Sequence, residues 1–143
     1  MTAGQPAAGT PGNAAAVEVG KQLVRRLVDQ VLNNGRLDVL DELYEPRLAP
    51  TARRWIEPFL ASFSDVSMRI VELVAEGDRV VGRFSCSATH TGVWLGHPPT
   101  GRRFTNIAEV YFFRIRGGRI SHAWGLEDTH ARLRQLGLIT ATG

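Results

Sequence analysis

A chain of 143 residues, 43% hydrophobic and 22% charged, has the length and composition of one soluble globular domain with room for a cavity in its core. No apolar run is long enough to cross a membrane, and the N-terminus shows neither the basic nor the apolar region of a secretory signal. The net charge of +3 is carried almost wholly by arginine, and the pairs Arg25-Arg26, Arg53-Arg54 and Arg102-Arg103 lie among acids without interleaved aromatics, which reads as solvated surface and not as a nucleic-acid stripe.

Residues 1–14 are small, rich in Gly and Pro and nearly uncharged, so a mobile tail is expected ahead of a single domain over 15–143. Val17, Gly20, Leu23, Val24, Leu27, Val28, Val31 and Leu32 recur at three- and four-residue spacing, which predicts an amphipathic helix that Asn33-Asn34-Gly35 stops. A second helix follows, with Leu37, Leu40, Leu43 and Tyr44 turned inward. A third spans Ala52–Phe63 with Trp55, Ile56, Phe59, Leu60 and Phe63 on its apolar side, and Pro58 is expected to break it into shorter pieces.

From Asp65 the apolar period changes to two. Strands are predicted from Asp65 to Val74 and from Val80 to His90, around a Glu76–Arg79 turn, with residues 91–103 as a loop. Phe104–Arg116 and Arg119–Leu126 flank Gly117-Gly118, a strong hairpin signal because both glycines accept positive φ. Helices first and antiparallel strands after is an α+β order. Cys86 is the single cysteine, which excludes an intrachain disulfide framework and fits a reducing cytoplasm.

Three motifs bear on function: Trp124-Gly125-Leu126-Glu127-Asp128-Thr129 at the end of the hairpin, followed by Leu133-Arg134-Gln135-Leu136-Gly137-Leu138; Thr89-His90-Thr91-Gly92-Val93-Trp94-Leu95-Gly96; and Pro98-Pro99-Thr100-Gly101-Arg102. Together they resemble the SnoaL-like polyketide (ester) cyclases of the NTF2-like superfamily, over roughly residues 20–138. The resemblance implies a cone, that is, a strongly curved antiparallel or mixed sheet packed against the N-terminal helices. It also implies a homodimer, a small hydrophobic or aromatic substrate, no cofactor, and an intramolecular aldol ring closure with Asp128 as general acid/base. That role needs a carboxylate held in apolar, partly dry surroundings. The chain departs from the family after the second helix, where Leu48-Ala49-Pro50-Thr51 leads almost directly into Arg53-Arg54-Trp55 and a pocket-mouth histidine is missing.

Read from the residues alone, Asp128 is equally a helix N-cap, although Ala131 and Arg132 stand where a capping box would place Glu or Gln. Glu127 is expected to face the other side of its strand, leaving a single acid in the site. Glu109, inside an apolar strand, is either a pocket group or an exposed edge. His90 either orients a substrate oxygen as a catalytic partner or holds its loop through side-chain-to-backbone bonds. Trp94, Tyr111, Trp124 and Trp55 are candidate substrate-binding aromatics. The histidines show no ligand spacing, so no metal is expected. An alternative class, epoxide-opening cyclases and hydrolases, needs an acid and a base. Two titratable groups converging on one pocket favour it, whereas a lone acid favours aldol chemistry. A third reading is a non-catalytic ligand-binding dimer.

Overall fold

The computed structural model describes residues 11–140, with side chains from Asn13 onward. Helix α1 runs from Pro11 to Arg26, so residues 11–14 of the predicted tail are helical, and residues 1–10 of it lie outside the described residues. Pro is tolerated in the first turn of a helix, and Ala14-Ala15-Ala16 favours helix strongly, which carries the helix back past the predicted boundary. The same stripe continues through a π-helical segment, Leu27–Leu32, burying Leu23, Val24, Leu27, Val28 and Val31. Asn33 then ties this end to the sheet: its Nδ2 donates to the Met68 carbonyl at 3.0 Å, and Met68 N–H donates to its Oδ1 at 2.7 Å.

A 3₁₀ turn, Leu37–Val39, and the short helix α2, Leu40–Leu43, follow. Helix α3 spans Ala49–Ser62 without interruption, in contrast to the predicted break at Pro58. Pro58 lies on the exposed side, where water reaches the carbonyl left without its helical donor one turn back. Strands β1 (Phe63–Glu76), β2 (Arg79–His90), β3 (Arg103–Arg116) and β4 (Arg119–Glu127) form one antiparallel sheet in the order β1-β2-β3-β4, and helix α4, Thr129–Gln135, follows β4. Its turn glycines Gly117 and Gly118 take φ +57° and +76°.

The register shifts four times, near Asp65 and Val71 in β1, at Ser87/Asn106 between β2 and β3, and at Ser121 in β4. Asp65 and Asn106 take φ +50° and +55°, left-handed geometry that short Asx side chains adopt more readily than others do. Each such bulge adds a residue to one strand and bends it. The bent sheet turns one face towards the helices, and β2 shows the division most clearly: Val80, Gly82, Phe84, Cys86, Ala88 and His90 are all buried, while the residues between them are not. The inner face, closed by α1, α2 and α3, holds the core with Phe63, Phe104, Ile107 and Ile120 at its centre. Burying each of these side chains contributes about 1.5–3 kcal/mol. The fold is α+β, with helices preceding a curved four-stranded antiparallel sheet.

Candidate active site

The core is incompletely filled. A cavity of about 380 Å³ opens between the sheet and the helices. Leu27, Val28 and Leu32 of the π-helical segment, Tyr44, and Trp55, Ile56 and Phe59 of α3 line one side. Met68, Phe84, Tyr111, Phe113 and Ala123 line the other, with Glu109 and Glu127 among them. A mostly apolar chamber with a few converging polar groups is the usual form of a small-molecule site.

Glu109 and Glu127 meet because they are directly paired across β3 and β4, in the register Glu109↔Glu127, Tyr111↔Gly125, Phe113↔Ala123. The Gly117-Gly118 turn by itself pairs Arg116 with Arg119 and Ile115 with Ile120. Continued without interruption, that register would set Glu109 opposite Leu126. The one-residue shift at Ser121 brings Glu127 to the inner face, contrary to the expected single acid, and sends Trp124 and Leu126 outward. Gly125 leaves room for the Tyr111 ring: a Cβ there would lie 2.0 Å from Tyr111 Cδ1.

Arg132, on α4, joins the two carboxylates. Its Nη2 donates to Glu109 Oε2 at 3.0 Å and its Nη1 to Glu127 Oε1. The Tyr111 hydroxyl donates to Glu109 Oε1 at 2.8 Å and lies 3.4 Å from Glu127 Oε2. Arg132 is wholly buried and Glu109 is 3% exposed, whereas Glu127 retains 36% of its side-chain surface. The guanidinium sits among the rings of Phe59, Phe63, Trp94 and Phe104, with centroids 4.7 to 5.9 Å from its central carbon. Two carboxyl groups share one cation in a largely dry setting.

Burial, and then the neighbouring Glu127, push the Glu109 carboxyl above the usual range against the pull of Arg132 and the Tyr111 hydrogen bond. The Tyr111 hydroxyl is pushed up by burial and by the same two carboxylates. Burial opposes the charge on Arg132, but Glu127 and Glu109 outweigh it and hold the guanidinium more firmly protonated. Cys86, beside Glu109, is pushed up to about 12 by burial and is a thiol at neutral pH.

The other candidates from the sequence lie elsewhere. Asp128 caps α4, its Oδ1 accepting the Ala131 N–H at 3.0 Å, and its exposed side chain is not among the residues lining the cavity. His90 is fully buried behind the cavity. Its Nδ1 accepts the Thr100 N–H at 3.1 Å, which places the ring proton on Nε2 and ties the 91–103 loop to the end of β2. Trp94 packs on Phe63, centroids 5.5 Å apart, and on Arg132, outside the cavity lining. Trp124 reaches the cavity only at its margin, since its ring stands on the outer face of the sheet, 5.6 Å from that of Phe112. Trp55 lines the cavity but is 60% exposed, at its mouth. Glu109 and Tyr111 are brought together; Asp128 and His90 are not. Arg132 enters the sequence reading only through the capping box that it does not complete; the signal that could mark it is an arginine four residues before Leu136, on the same face of a short helix that follows the hairpin.

Among the described residues no group of three or more His, Cys, Asp and Glu could hold a metal, and no helix is long and apolar enough to cross a membrane. A model of the SnoaL-like polyketide cyclase family matches residues 22–136. The chain is 29% identical over 108 residues to aklanonic acid methyl ester cyclase DnrD of Streptomyces peucetius, covering 76% of this chain and 72% of that protein. Its fold is similar to the solved structures of TsrD from Streptomyces laurentii (TM-score 0.79, 27% identity, 85% of this chain and 97% of that one) and IdmH from Streptomyces antibioticus (TM-score 0.72, 27% identity, 82% and 98%). With the helix order, the curved sheet and the apolar chamber in agreement, the chain belongs to the SnoaL-like polyketide cyclase family.

Proposed function

We propose that this protein closes a ring in a small hydrophobic polyketide-type substrate by an intramolecular aldol reaction, with Glu127 and Glu109 as the acid/base pair and Asp128 as a helix cap. The convergence of both carboxylates and the Tyr111 hydroxyl on one apolar cavity, from which Asp128 is absent, supports these residues as the acid/base pair, and membership of the SnoaL-like polyketide cyclase family supports ring closure as the reaction. Glu127, the more exposed carboxylate, takes a proton from a carbon between two carbonyls. The resulting enolate carbon attacks a second carbonyl of the same molecule and forms the C–C bond. The oxygen of that carbonyl takes up a proton from Glu109, whose raised titration suits a donor. The Tyr111 hydroxyl, in reach of both carboxylates, returns the proton from Glu127 to Glu109 and closes the cycle with no net loss. Arg132 holds the two acids at this spacing.

The test is deuterium exchange from D₂O into the activated methylene of an aromatic β-keto ester. Glu127→Gln should slow exchange by about a hundredfold or more, and Asp128→Asn by less than about threefold. Loss of exchange in Asp128→Asn with retention in Glu127→Gln would return the chemistry to Asp128. A second reading has a specific observation in its favour: two titratable groups do converge, which meets the condition for acid- and base-assisted epoxide opening. Incorporation of ¹⁸O from labelled water into a diol, without methylene exchange, would select it.

The outer face of the sheet supports a homodimer. Val74, Phe112, Trp124 and Leu126 are exposed, and Val74, Val81, Phe112 and Trp124 stand in one row across all four strands. Sedimentation equilibrium should show a dimer that Phe112→Ser with Trp124→Ser converts to monomer. A single, buried cysteine fits a cytoplasmic setting.

A further inference from the structure

Tyr44 brings to the cavity a hydroxyl that the acid/base cluster does not use. Tyr44 is 4% exposed and lines the cavity. Its hydroxyl makes no hydrogen bond among the described residues, and it is not among the solvent-inaccessible polar atoms that lack a partner, which are His90 Nε2 and Arg132 Nε. The oxygen is therefore neither bonded nor fully enclosed, on a residue that lines the chamber. Burial raises its titration well above the ordinary tyrosine range, so it is a neutral hydroxyl at any physiological pH, able both to donate and to accept.

Its position in the fold sets it apart from the carboxylates. Tyr44 pairs with Ile120 at the start of β4, and Glu127 stands at the other end of that strand, about 20 Å of strand away. Between them the wall is Phe113, Ala123 and Gly125 on the sheet and Leu27, Val28 and Leu32 on the helix, none with a polar side chain. An unengaged hydroxyl in such a wall discriminates strongly between ligands with and without a matching oxygen, because a ligand lacking one strips water from the hydroxyl and returns nothing.

We infer that Tyr44 is a specificity-determining residue whose hydroxyl binds an oxygen substituent of the substrate remote from the reacting β-dicarbonyl carbon. The inference rests on the proposal that substrate occupies this cavity. The ligand class is an extended apolar, ring-bearing molecule with its β-dicarbonyl at one end and a phenol or keto oxygen at the other.

The test uses two probes, an anthracenyl β-keto methyl ester with a hydroxyl on its far ring and the parent compound without it. Dissociation constants are measured by ligand fluorescence for the full chain and for Tyr44→Phe. Wild type should bind the hydroxylated probe about five- to tenfold more tightly than the parent, and Tyr44→Phe should lose that preference while binding the parent unchanged. The thermal midpoint of Tyr44→Phe should shift by less than about 2 °C, because no intramolecular bond is removed. Exchange assays should place the effect in KM, with kcat retained. Absence of a preference in wild type, an equal weakening of both probes, or a preference that survives in Tyr44→Phe overturns the inference. Because the readout is binding, it stands if methylene exchange fails. It falls by itself if exchange succeeds and the variant still discriminates.

Discussion

Arg132→Met removes the cation between two carboxylates while keeping most of the apolar volume. In the wild type the guanidinium is wholly buried, bonded to Glu109 Oε2 at 3.0 Å and to Glu127, with four aromatic rings around it. Without it, the Glu109 and Glu127 carboxyls face each other in the same chamber with no cation between them, Glu109 only 3% exposed. Removing one partner of a buried ion pair costs about 3–5 kcal/mol, most of it the burden of the charge left behind. For a domain of this size that lowers Tm by roughly 10–15 °C. Urea denaturation at pH 7 measures the loss. Two controls separate charge from packing: Arg132→Met with Glu109→Gln should recover about half of it, and the single variant should lose much less at pH 4, where Glu109, whose titration is raised by burial, holds its proton. An identical loss at both pH values, with no recovery in the double variant, would show that Arg132 acts as a packed side chain and would refute the charge argument.

Glu109 should also give a pH-dependent stability of defined sign. Its folded-state pKa is raised, so the native state holds its proton longer than the unfolded chain does; its stabilising contribution is present below the ordinary carboxylate value and is lost as pH rises through the raised one. Glu109→Gln should flatten that descending slope in urea midpoints measured from pH 4 upward. Gly125→Ala places a methyl 2.0 Å from Tyr111 Cδ1, so it should destabilise by about 1–3 kcal/mol and slow methylene exchange by displacing the Tyr111 hydroxyl. Asp128→Ala should cost about 1 kcal/mol of stability as a lost N-cap, whereas Asp128→Asn, which still caps, should cost under about 0.5 kcal/mol by thermal melt.

The elements were legible in the sequence because their signals are local. The three- and four-residue spacing of α1, the alternation in β2 and the Gly117-Gly118 turn each follow from the nearest neighbours of the chain. The break assigned to Pro58 failed because a proline on an exposed helix face leaves its free carbonyl to water, and burial of that face cannot be read from periodicity alone. The site was legible only in part. Glu109 stands out as an acid in an apolar strand, and Tyr111 two residues later shares its face. Asp128 was marked by its motif, and the same Asp-Thr pair equally marks a cap; the geometry of α4 is that of the cap. Arg132 cannot be found by composition, since nothing in a chain with 16 other Lys and Arg residues among its 17 distinguishes the one that is buried.

The decisive feature is the single extra residue at Ser121. It leaves no compositional trace, for Ser, His and Ala are unremarkable at that point of a strand, yet it reverses the facing of every residue beyond it. Without it Leu126 would lie opposite Glu109 and Trp124 would face inward with it, while Glu127 would stand with Ala123 and Gly125 on the outer surface. With it, the two acids meet and α4 starts at a position that carries Arg132 between them. Bulges of this kind also bend the sheet. The shift at Ser121 is one of four that bend the sheet, but it is the one that sets the Glu109–Glu127 register, and a deletion of Ser121 should separate the two acids while the other three bulges keep the sheet curved.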